Sequence, residues 1–161
     1  METDAAELGH RASLVTAGLL AGALSHAEVI AWADRTIAEI ESPPRWLLEL
    51  SMSSGAHREL DRVKLLLSGS SGCERDKLAP IAMWREVVGR GRATAWVACQ
   101  QLAECRLPAG PRRRLAELAR AYEAAPDDSA RACVTENAWQ FLLEYGGRSA
   151  HSERVAAIMA Y

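Results

Sequence analysis

Apolar residues recur every three to four positions from Leu8 to Met159, and no stretch alternates apolar and polar residues with a period of two. That spacing lines one face of an α-helix, whereas a strand half-buried in a sheet needs period two. β-branched residues are sparse as well, so the sequence predicts an all-α protein. Helix signals and breakers punctuate the chain often enough for roughly eight or nine short helices, packed as an irregular bundle or a short α-solenoid-like stack. No internal repeat of fixed period marks a tetratricopeptide or HEAT array.

In the first predicted helix, Leu8, Ala12, Val15 and Leu19 form a stripe, with Gly18 and Gly22 as a small-residue packing surface. Ser25-His26-Ala27-Glu28 then fits a capping box, in which serine accepts from a free backbone amide and glutamate reaches back. The second helix follows, with Val29, Ala33, Ile37 and Ile40 as its apolar stripe and an Arg35/Glu39 pair on its polar side. Ser42-Pro43-Pro44 combines a cap residue with proline at a first helical position, and a third helix carries Trp46, Leu47 and Leu50 until Gly55. Glu59 to Leu67 keep the helical period up to Ser68-Gly69-Ser70-Ser71-Gly72.

That Gly/Ser loop divides one domain of 161 residues into two packed halves, 1–68 and 76–161. In the second half, Pro80 opens a helix through Trp84 and Val88 that Gly89 to Gly91 interrupt. Ala93 to Cys105 make the next, and Leu107-Pro108-Ala109-Gly110-Pro111 reads as a turn. Arg112 to Ala125 follow, with Leu115, Leu118, Ala119 and Tyr122 on one stripe. Pro126 stops that helix, Asp127 or Asp128 caps its successor through Tyr145, and a last short helix holds Val155, Ile158 and Met159.

Composition excludes several classes. With 49% hydrophobic and 25% charged residues the chain is neither a disordered nor a fibrous sequence. A net charge of -2 supplies no global field toward nucleic acid or anionic lipid. The charge is uneven: residues up to Pro80 carry 8 basic and 12 acidic groups, and those after it 11 and 9. The apolar run Leu14 to Leu24 is too short to span a bilayer and follows Glu2, Asp4 and Glu7 rather than a basic flank, so neither a membrane segment nor a secretory signal is expected. Cys73, Cys99, Cys105 and Cys133 contain no C-x-x-C. They predict no metal site and, as reduced thiols, a cytoplasmic protein, with Cys99 and Cys133 acting as small hydrophobes in helices.

No reactive centre is spelled out. His10, His26, His57 and His151 are scattered; only Glu7-Leu8-Gly9-His10 has the E-x-x-H spacing that places ligands on one helix face, no second such pair completes a site, and H-E-x-x-H does not occur. A P-loop, a dinucleotide-binding glycine pattern and a G-x-S-x-G elbow are all missing, so no catalytic residue and no cofactor is expected. The polar groups least unlike an active site are His57, Asp61 and Cys73, which would belong to a helical enzyme or ligand-binding protein with a pocket between the halves. Arg112, Arg113 and Arg114, with Arg120 further along, allow a nucleic-acid adaptor, but Glu117 and Glu123 on the same helix favour a solvated face.

Five tryptophans against one phenylalanine is the more informative imbalance, because tryptophan is enriched at binding hot spots. Trp84, Trp96 and Trp139 sit among aliphatic residues as core. Trp32 lies off its helix's main stripe and Trp46 follows the Pro-Pro corner, so both are candidates for partial exposure. Around them Glu28, Asp34, Glu39, Glu41 and Glu49 concentrate acidity on the second and third helices, suiting a basic protein partner.

Between Gly18 and Leu50, the segments A-L-S-H-A-E-V-I-A-W-A-D-R-T-I and P-P-R-W-L-L-E-L-S resemble the start of small α-helical bacterial immunity proteins of polymorphic or contact-dependent toxin systems. The resemblance implies a non-enzymatic protein that neutralises a cognate toxin by stoichiometric binding. The expected contact residues are then Glu28, Trp32, Asp34, Glu39, Glu41, Trp46 and Glu49.

Overall fold

The computed structural model describes residues 5–53, 77–149 and 152–160, and every regular element among them is α-helical. The chain divides into two compact units, 1–75 and 76–161. The Gly/Ser loop and the run Glu59 to Leu67 lie outside the described residues.

In the N-terminal unit, α1 spans Ala5–Leu20, α2 His26–Glu39 and α3 Arg45–Ser51. Gly22 ends α1: at φ +72° it turns the chain into the left-handed region, and the amides of Ala23 and Leu24 fold back onto the Gly18 carbonyl at 2.9 and 3.1 Å. Gly22 is therefore a helix stop rather than part of the packing surface, whereas Gly18 is buried. The Ser25 box forms as read. Its hydroxyl accepts from the Glu28 amide at 3.3 Å, and Glu28 Oε2 takes the Ser25 N–H at 2.7 Å and hydroxyl at 2.8 Å.

At the Pro-Pro corner the helix starts two residues later than the spacing predicts. Pro44 is the N-cap, with an extended ψ of 150°, in place of Ser42. The Pro44 carbonyl receives the amides of Leu47 and Leu48, and α3 ends at Ser51 with Met52 as C-cap, ahead of Gly55. Leu47 and Leu50 are fully buried and α2 packs against α3, so this short helix is held by its tertiary contacts rather than by propensity.

In the C-terminal unit, α4 spans Ala79–Gly89, α5 Ala95–Ala103, α6 Ala109–Ala124, α7 Asp128–Gly147 and α8 Ser152–Ile158. Pro80 lies in the first turn of α4, where its missing N–H costs nothing, and Gly91 at φ +71° closes the helix. Thr94 caps α5 by accepting from Val97, and Asp127 caps α7 by accepting from Ala130 at 2.8 Å. The segment read as a turn at 107–111 is shorter than expected. Pro108 is the N-cap, and Ala109, Gly110 and Pro111 already belong to the first turn of α6, where amides have no intrahelical acceptor and proline is tolerated.

α7 is the common neighbour of α4, α5 and α6, burying Val134, Ala138, Phe141, Leu142 and Gly146, while α8 leans on α4. Gly146 permits the closest of these approaches. A Cβ there would come within 3.3 Å of the Ala82 Cα, so α4 and α7 cross almost backbone to backbone.

Candidate protein-docking face

The residues proposed for docking occupy α2, α3 and the corner between them, and the fold employs most of them itself. Glu28 is committed to the capping box. Asp34 is exposed and accepts a short hydrogen bond from the Ser51 hydroxyl, which ties α2 to the end of α3. Glu39 meets Arg11 of α1 at 3.4 Å rather than Arg35, and Arg11 also reaches Glu7. Glu49 binds Arg45 at 2.8 Å along α3. Glu41, exposed in the corner, makes no ion pair among the described residues.

Trp32 must be moved from the docking face to the core. It is only 4% exposed, beside Val29, Ala33 and Thr36. The buried stripe of α2 is thus rotated by about 45° from the predicted one, toward Trp32 and Thr36, leaving Ile37 and Ile40 half-buried. Thr36 conceals this in the sequence: its hydroxyl donates to the Trp32 carbonyl at 2.8 Å, so a nominally polar residue sits in the interior with its hydrogen bond made. Trp46 is half-buried, as the Pro-Pro corner suggests.

Two apolar residues missed by the sequence complete this face. Leu47 and Leu50 turn inward, so Leu48 and Met52, one turn apart, turn outward and are 41% and 85% exposed. Arg45, Leu48, Glu49 and Met52 share this outer face of α3 by their spacing. The signal was available: on a seven-residue helix with two buried leucines, positions 48 and 52 can only point away. What results is an uncovered apolar pair beside Glu49 on α3, with Glu41 in the corner before the helix and Asp34 bonded to Ser51 at its end.

His57, Asp61 and Cys73, the basis of the enzyme reading, lie outside the described residues, and no group of three potential metal-ligating side chains occurs among those described. His26 is half-buried, and its Nε2 has no hydrogen-bond partner. Cys99 is a buried thiol pushed up to about 12 by desolvation, which keeps it protonated and unreactive. Burial first and Glu104 second also raise Cys105. Cys133, expected to behave as a buried hydrophobe, is exposed.

Of the tryptophans assigned to the core, Trp84 is buried, but Trp96 and Trp139 are half-buried. Trp96 stacks on Tyr122 with centroids 4.0 Å apart, and Arg131 lies 5.7 Å from the same Tyr122 ring, linking α5, α6 and α7. Ala119 faces solvent rather than the α6 core. Arg112, Arg113, Arg114 and Arg120 are exposed, with Arg114 paired to Glu117 at 3.1 Å. No helix among the described residues is long and apolar enough to cross a membrane. Comparison with protein-family models, curated proteins and solved structures finds no match for this chain.

Proposed function

We propose that this chain is a non-enzymatic protein-binding protein acting in the cytoplasm, most specifically an immunity protein that neutralises a cognate bacterial toxin by stoichiometric binding. The observation that supports the reading is the uncovered Leu48/Met52 pair on α3, with the acidic residues Glu41 before that helix, Glu49 along it and Asp34 against its end. An apolar centre desolvates against a partner and supplies affinity, while surrounding charge steers encounter and rejects wrong partners. Such a face fits a basic protein surface with an apolar pocket. Trp46, half-buried at the start of the same helix, adds aromatic area, whereas Trp32 acts only by holding α2 in place.

The test combines growth and binding. The products of the genes flanking this one are expressed alone and together with this chain, growth is scored, and the purified pair is titrated by calorimetry. The expected result is arrest by one neighbour, relief by this chain and a one-to-one complex. Leu48→Asp and Met52→Asp should each weaken that complex by about tenfold or more, with helical content unchanged. Neighbours that are neither toxic nor bound would remove the reading.

A further inference from the structure

Most arginines among the described residues are engaged within the fold. Arg11, Arg45, Arg85, Arg90, Arg114, Arg131 and Arg148 each meet a carboxylate, and Arg35, Arg92 and Arg154 have partners too. Among the described residues, Arg106, Arg112, Arg113 and Arg120 make no ion pair, and all four lie on α6 or in the turn before it. α6 buries one narrow stripe, Pro111, Leu115 and Leu118, with Tyr122 half-buried below. At about 100° per residue, Arg113 and Arg120 stand opposite that stripe two turns apart, beside exposed Ala116 and Ala124. Glu117 and Glu123 flank this side; the charge of Glu117 is met by Arg114, and Glu123 makes no ion pair among the described residues.

The N-terminal unit carries the complement of this surface. Around α3 stand Glu41, which makes no ion pair among the described residues, and the projecting Leu48 and Met52, where α6 has guanidiniums without an ion pair and shallow ground made by alanines. We propose that the acidic α2–α3 corner of one copy docks on the outer face of α6 of a second copy. Glu41 meets Arg113 or Arg120, whose planar fork suits a carboxylate, and Leu48 and Met52 settle over Ala116 beside them. A phosphate backbone is the poorer occupant of α6, because it leaves Leu48 and Met52 nothing to cover. Because the two faces are unlike, a two-fold pair makes the contact twice, and any other operator continues into a ring or filament. This inference requires only the chain itself and does not rest on the toxin reading; the two occupants of α3 exclude one another.

Sedimentation velocity of the full chain tests it, from about 10 to 500 μM, in about 50 mM and then about 0.5 M NaCl. The expected result is a weight-average mass that rises with concentration at low salt and returns to that of one chain at high salt. Glu41→Arg and the double variant Arg113→Glu/Arg120→Glu should each raise the dissociation constant by about tenfold or more, and an equimolar mixture of the two should associate again, because their reversed faces match. A one-chain mass at every concentration in low salt overturns the proposal, as does association indifferent to both reversals or a mixture that stays dissociated. Retardation of a duplex of about 20 base pairs by the unmodified chain, lost in the double variant and unaccompanied by self-association, would give α6 to nucleic acid instead.

Discussion

α2 and α6 are both amphipathic helices with a charged outer side, yet the fold treats them differently. On α2 the polar groups are used: Glu28 closes the cap, Glu39 holds Arg11, Asp34 holds Ser51 and Thr36 holds its own backbone. Among the described residues, the Arg114/Glu117 pair is the one ion pair within α6, and its three further arginines make none. A charged face read from sequence is therefore not one kind of object. Where the charges are satisfied locally they serve the helix, and where they are left over they are available to something outside it.

The largest effect separating the two helices comes from the α2 core. Trp32→Ala should cost about 3–5 kcal/mol in urea unfolding, because a buried indole leaves a cavity that the packed neighbours cannot close. A loss under about 1 kcal/mol would return Trp32 to the surface. Next in size is an alkaline effect that involves neither helix and calibrates both. The thiol of Cys99 is held near 12 in the folded chain against 9.0 when free, so its contribution is complete below pH 9 and is lost as pH rises toward 12. Between pH 8 and about 10.5 that amounts to about 2 kcal/mol, and Cys99→Ala should flatten this limb of the stability profile.

Ser25→Ala should cost about 1 kcal/mol, the usual worth of an N-cap, by thermal or urea melts. The smallest effect belongs to α6. Arg113→Ala with Arg120→Ala should change stability by less than about 0.5 kcal/mol, since neither side chain touches anything that folding needs. If that pair proves as costly as Ser25→Ala, the contrast between the helices fails.

The helical class and most helix boundaries were legible because period, caps and breakers are local signals. Ser25 to Glu28, Pro80, Gly91 and Asp127 all act where their chemistry says they should. The docking face was legible only in part. Its acidic residues are visible as types, but which carboxylates the fold consumes depends on Arg11 and Ser51, each distant in sequence from its partner. Trp32 was misplaced because a threonine whose hydroxyl bonds its own helix counts as polar in a pattern and as interior in space. Pro108 to Pro111 misled in the opposite way: two prolines announce a break, although the opening turn of a helix is where they do no harm.

The position of α7 bears on how the polypeptide is made. α4, α5 and α6 emerge from the ribosome first, yet each rests on α7, the last long helix. Until residues up to Gly147 have left the exit tunnel, those three helices expose the sides meant for a neighbour not yet synthesised. Closure of this unit therefore waits for α7 to be synthesised, and a nascent chain stalled before Asp128 would be a substrate for chaperones rather than a shortened working protein.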